Sequence, residues 1–174
     1  FCFCIPNRWV SSTSPKNREL CITLHDGDNL TYLTEQPAKG TRDHKPVWSK
    51  TGDMITFFRA TGGSDRGPFP QYKTHICVVK ADGTGLRELT DATNASLNPT
   101  WTRDGSNKII FNRFHESERG IAIYWISPDG EKNSEELISA PDRAGRYDAE
   151  WAESGLKDGR IFIWRLNLFK FAAN

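Results

Sequence analysis

The chain has 174 residues, 37% hydrophobic, 11% aromatic and 26% charged, with 23 Lys and Arg against 22 Asp and Glu for a net charge of +1. That length fits one domain with a core of its own and excludes a fibrous or wholly disordered protein. A charge so near balance excludes bulk steering to nucleic acid or anionic membrane, and the most apolar stretch, IFIWRLNLFKFAA, is broken by Arg165, Asn167 and Lys170 and is shorter than the roughly 20 residues that span a bilayer.

Residues 1–19 open FCFCIPNRWV and read as an irregular segment. They carry neither an initiator Met nor the basic, apolar and small-residue sequence of a secretory signal, so the chain reads as processed or as a piece of something longer. Cys2, Cys4, Cys21 and Cys77 lack paired CxxC spacing and are too few for a disulfide-built scaffold. Asn29-Leu30-Thr31 and Asn94-Ala95-Ser96 are glycosylation triplets that arise readily by chance.

From residue 20 to residue 165 a unit recurs. CITLHDGDNLTYLT (21–34) gives an alternating run, an Asp26-Gly27 turn and Leu-Thr. TRDHKPVW leads into Trp48, after which SKTGD forms a Gly-containing turn before MITFF. The long loop ATGGSDRGPFPQYK (60–73) precedes ICVVKADGTGLRELT, with Asp82-Gly83 as its turn. The pattern then repeats as LNPTW into Trp101, TRDGSN, KIIFN, and IAIYWISPDGEKNSEELIS with Asp129-Gly130, and again as GRYDAEW into Trp151 and SGLKDGRIFI. The tryptophans fall at intervals of 53 (48 to 101) and 50 (101 to 151) residues. Residues 166–174 form a tail.

Each unit predicts four short strands: one ending at Trp, a hairpin turn, a second strand, then a third and fourth joined by Asp-Gly. No segment competes as a long amphipathic helix. The fold class is therefore all-β, a β-propeller of four-stranded blades with about three blades present. Propellers close with about four to eight blades. Three would leave open sheet edges, so the chain is either a fragment or a homo-oligomer, most simply a homodimer completing a six-bladed ring.

The unit Trp-Ser-x-x-Gly-Asp/Lys-x-Ile-x-Phe, closing on Asp-Gly and Leu-Thr, resembles the propeller repeats of the TolB-like family over roughly residues 20 to 165. More narrowly, RDHKPVWSKTGDMITFFR, LNPTWTRDGSNKIIFNR and LKDGRIFI are similar to secreted polysaccharide-degrading propellers of the ulvan lyase-like kind. The first resemblance implies fold; the second implies a lyase, and with it a secreted or periplasmic setting.

In such a fold the loops into the Trp strands and the ends of the second strands share one face. The lead-in loops supply Arg42, Asp43, His44, Asn98, Arg146, Tyr147 and Asp148, and the strand ends supply Arg59, Arg113, His115 and Arg165. Arg59, Arg113 and Arg165 recur at one blade position, and a guanidinium pairs carboxylate or sulfate in bidentate fashion. Either they face an anionic ligand, with His115, Arg146 and Asn98 as further binding residues, or each caps its own blade against a nearby Asp or Glu. Cleaving a uronate polymer by β-elimination requires a neutralised carboxylate, a base for the α-proton and an acid for the departing oxygen. His44 as base, Tyr147 as acid and Arg165 as neutraliser, with Arg113 as the alternative, fit those tasks, and the ulvan lyase-like resemblance implies the same residue types. His75, at a strand start, reads as structural.

No phosphate loop, HExxH, GxSxG or EF-hand spacing is present, HDGDN (25–29) reads as a turn, and no cofactor or metal is called for. The partner expected is an acidic polysaccharide, with no nucleic acid and no membrane insertion. Two functions stand: part of a lyase acting on an acidic polysaccharide, or a non-catalytic TolB-like module binding protein or glycan.

Overall fold

The computed structural model describes residues 8–11, 21–24, 31–34, 41–61, 73–102, 105–115 and 120–142. The Asp26-Gly27 turn, most of the loop after β5 and the whole Trp151 unit lie outside them. Every regular element among the described residues is a strand: β1 (Arg8–Ser11), β2 (Cys21–Leu24), β3 (Thr31–Tyr32), β4 (Arg42–Trp48), β5 (Met54–Thr61), β6 (Lys73–Lys80), β7 (Arg87–Glu88), β8 (Ser96–Trp101), β9 (Ile109–His115), β10 (Gly120–Ile126) and β11 (Glu136–Asp142). They form three antiparallel sheets in the orders β1-β2-β3, β4-β5-β6-β7 and β8-β9-β10-β11. The chain is thus all-β, and the second and third sheets are the four-stranded meanders that the repeat predicts.

The turn after each Trp follows from local chemistry. Ser49 donates its backbone N–H to Met54 O at 2.8 Å, and its hydroxyl accepts the Met54 N–H at 3.1 Å while donating to Asp53 Oδ1 at 2.7 Å. Thr102 repeats the arrangement with Lys108: its N–H reaches Lys108 O at 2.8 Å, and its hydroxyl accepts the Lys108 N–H at 2.9 Å. Gly52 and Gly105, each four residues after the Trp, take positive φ of 76° and 91°, a region that glycine enters without steric cost. Hydrogen bonds from Thr51 and then Ser49 hold the Asp53 carboxyl below its ordinary range.

One correction concerns the lead-in residues. Arg42, Asp43, His44 and Asn98 lie inside strands β4 and β8, not in loops before them. Pro46 and Pro99 cannot donate to a ladder. Here each sits at an irregularity of the strand: the register shifts between His44 and Val47 and between Leu97 and Thr100. Lys45 and Asn98, the residues before the prolines, take positive φ of 49° and 52°. A bulge is the one interior strand position that accommodates proline and an unusual backbone together.

Strands β5 and β6 are apolar on both faces because both faces are covered. Ile55, Phe57, Cys77 and Val79 pack with Trp48 and with Leu33, which follows β3. Phe58, Ile76 and Val78 pack on the other side with Leu89, Leu97, Trp101, Ile109, Phe111 and Ile126. The second sheet is therefore sandwiched between the first and third. Phe57 and Phe111 are wholly buried, and each such side chain contributes about 1.5–3 kcal/mol by leaving water.

Hydrogen bonds clasp the second and third sheets at both margins. At the β4/β8 margin Trp101 Nε1 donates to Val47 O at 3.0 Å. At the other, Arg87 Nη1 and Nη2 donate to Pro128 O at 2.9 Å and Gly130 O at 2.6 Å, and Asn133 N donates to Leu89 O at 2.8 Å.

Cys77 is a free thiol, fully buried in the first cluster, and burial pushes its pKa far above the ordinary thiol value. Native protein treated with iodoacetamide at mildly alkaline pH should leave the Cys77 peptide unmodified, with labelling only after denaturation. Rapid native labelling, read by peptide mass mapping, would contradict the packing of this face.

Candidate functional site

The ends of β5 and β9 carry two arginines in matching register. Arg59 pairs with Asp43 across β4–β5, and Arg113 pairs with Ser96 across β8–β9. Each guanidinium also leans on the preceding aromatic of its strand, 5.6 Å from the Phe57 ring and 5.4 Å from the Phe111 ring.

Arg59 grips Asp43 with Nε at 2.7 Å from Oδ1 and Nη2 at 2.9 Å from Oδ2, and Asp43 is fully buried. Burial works against charge on Arg59, but the Asp43 hydrogen bond and charge outweigh it and raise the guanidinium pKa further. Arg113, 8% exposed, donates through Nη1 to Glu135 Oε1 and through Nε to Ser96 Oγ at 3.1 Å. Both arginines thus pair with acidic groups of the chain itself, and each cation is largely cancelled in place.

Asp43 and His44 are neighbours in one strand and so point to opposite faces. His44 pairs with Phe58 and stacks on it at 5.0 Å and 20°, on the face turned to the third sheet, whereas Arg59 lies on the other face. The structure does not bring these two candidates together. His75 lies across from Arg59, with Nδ1 3.2 Å from Thr90 O. Asn98 sits at the β8 bulge, buried, its Nδ2 without a partner. Arg146, Tyr147 and Arg165 lie outside the described residues.

His115 is the last residue of β9, and its Nε2 lies 3.0 Å from Tyr124 Oη, with the rings stacked at 6.0 Å. Register explains the meeting. Tyr124 faces Phe111, Ala122 faces Arg113 and Gly120 faces His115. The small Ala122 and Gly120 leave room for the tyrosine to lean along the sheet under Arg113, whose Cζ is 4.9 Å from its ring. Glu135 Oε2, beside the same arginine, is buried and has no hydrogen-bond partner. A base, a phenol, a guanidinium and a carboxylate are thereby gathered on one face of the third sheet. Sequence reasoning named His115 and Arg113 but missed Tyr124, which reads as one more residue of an alternating run, and Glu135, which reads as turn. The available signal was a lone tyrosine two places from a small residue opposite an arginine.

Among the described residues no three His, Cys, Asp or Glu side chains gather as metal ligands, and no helix is long and apolar enough to cross a membrane. No family model matches this sequence, and no curated protein matches it.

Proposed function

We propose that the sheets are blades of a TolB-like β-propeller whose end face takes an acidic, uronate-containing polysaccharide outside the cytoplasm and cleaves it by β-elimination. Support for the propeller comes from the Trp repeat together with sheets stacked face to face and clasped at two margins. The observation that carries the chemistry is the 3.0 Å contact between His115 Nε2 and Tyr124 Oη beside Arg113.

In this reading unprotonated His115 takes the proton α to the uronate carboxylate, the released electron pair forms the ring double bond, and the glycosidic C–O bond breaks. Tyr124 gives its proton to the departing oxygen. The direct hydrogen bond then returns the proton from His115 to Tyr124, so the pair is reset after each cleavage. Arg113 is the guanidinium placed to offset the growing negative charge.

A second reading is favoured by the Asp43–Arg59 and Arg113–Glu135 pairs. With both cations balanced internally, the face holds a saccharide by polar contacts and does no chemistry.

Both readings require binding, which calorimetric titration with a uronate oligosaccharide tests. Wild type should give saturable heat, and Glu135→Gln, which uncovers the Arg113 charge while keeping a hydrogen-bond acceptor, should bind about tenfold more tightly. Absence of heat from any acidic oligosaccharide, with circular dichroism showing an intact fold, would sink both.

A further inference from the structure

Arg59 and Arg113 hold matching places in the second and third sheets, but their partners differ in kind. In the second sheet the residue directly opposite the arginine is Asp43, and this one carboxylate takes both Nε and Nη2 from within the ladder. In the third sheet the opposite residue is Ser96, fully buried, which accepts from Nε and carries no charge. The acid that balances Arg113 is instead Glu135, just ahead of β11, which meets Nη1.

The seat of Glu135 is incomplete. One oxygen meets Arg113, while Oε2 is buried with no hydrogen-bond partner. A buried carboxylate oxygen without a donor is costly. The main chain is fastened on both sides, by Asn133 N donating to Leu89 O and by Glu136 pairing with Trp125, so movement of Glu135 falls to its side chain. Ser134 and Glu136 are both exposed, which puts water within one side-chain rotation. Arg113 stays where it is through such a rotation, because Ser96 holds Nε and the guanidinium lies against the Phe111 and Tyr124 rings.

We propose that Glu135 stands in for a ligand carboxylate. An incoming carboxylate takes its place on Arg113 Nη1, Glu135 turns out to water, and Ser96 holds the guanidinium in position through the exchange. Arg59 takes no part, since its acid belongs to the strand facing it and occupies both nitrogens. The exchange accounts for how a guanidinium only 8% exposed serves a ligand: its cover yields to an anion and not to a neutral sugar. Naming the incoming group as that of a uronate rests on the saccharide reading, whereas the exchange itself does not.

Nuclear magnetic resonance of the unaltered protein, following the arginine guanidinium and acidic carboxyl signals during titration with sodium glucuronate and with glucose at constant ionic strength, tests this. Glucuronate should move the Arg113 and Glu135 signals together and saturably, leave Arg59 and Asp43 in place, and glucose should move none. Ser96→Asp builds the Asp43 type of pair into the third sheet. It should weaken glucuronate binding at least tenfold without lowering the unfolding midpoint. No shift with glucuronate or acetate, a shift at Arg113 with Glu135 unmoved, or a Ser96→Asp protein that folds and binds like wild type would each overturn the proposal. A uronate oligosaccharide that binds while both signals stay put would overturn it and leave the saccharide reading standing. Acetate moving both signals as glucuronate does, with no oligosaccharide bound, would uphold the exchange and sink that reading alone.

Discussion

Arg59→Met is expected to lower the unfolding free energy by about 3–5 kcal/mol. The fully buried Asp43 carboxylate has both oxygens held by this one guanidinium, at 2.7 and 2.9 Å. Removing the guanidinium leaves a charge with neither water nor counter-ion, and breaking such a pair costs much more than the pair contributes relative to an apolar replacement. The double variant Arg59→Met with Asp43→Leu should therefore recover most of the loss, the two sites being in direct contact and strongly non-additive. Urea unfolding of the three proteins measures this directly. A single variant within 1 kcal/mol of wild type, or a double variant no better than the single, would mean that water reaches the carboxylate.

Trp101→Ala should cost a comparable amount, about 3–5 kcal/mol, for a different reason. The indole is packed among Phe58, Ile76, Val78 and Phe111 between the second and third sheets, and its N–H ties the third sheet to Val47. Alanine opens a cavity and unfastens the clasp together. Trp101→Phe isolates the smaller part, keeping most of the ring and losing the hydrogen bond, with an expected cost of about 1–2 kcal/mol. Should Trp101→Ala unfold at the same urea concentration as wild type, the two sheets would not depend on each other.

The strand plan was legible in the sequence because its punctuation is local. Ser49 and Thr102 close their turns through their own hydroxyls, and Gly52 and Gly105 supply the backbone those turns need, all within a few residues of each Trp. Strands of alternating or apolar character between such turns leave little choice of fold class. The bulges were not legible. A proline in HKPVW or LNPTW argues against a regular strand, and only the register shift after His44 and Leu97 shows how the strand accommodates it.

The site was legible only in part, because it depends on cross-strand partners far apart in sequence. That Asp43 and His44 face opposite ways follows from the period of a strand and could have been read. That Asp43 is the residue opposite Arg59 depends on a register set beyond the turn. The same holds for Arg113 with Glu135, which stands just ahead of the last strand of its sheet, and for His115 with Tyr124, which meet because Ala122 and Gly120 are small. Three recurring arginines left two readings open, a cationic face or capping by nearby acids; Arg59 and Arg113 each make such an acidic pair, with Asp43 and Glu135, and it is the histidine and tyrosine beside Arg113 that leave chemistry open.

The most direct test of the functional account is turnover. The purified chain is incubated with a panel of acidic polysaccharides, ulvan, alginate, pectate and heparinoids, while the ultraviolet absorbance of the unsaturated uronate product is followed. The account predicts a rise on at least one of them, with His115→Gln and Tyr124→Phe each lowering the rate about 100-fold to 10,000-fold while leaving the unfolding midpoint near that of wild type. No rise on a polysaccharide that binds, or a rise that survives both substitutions, would contradict a catalytic role for this pair.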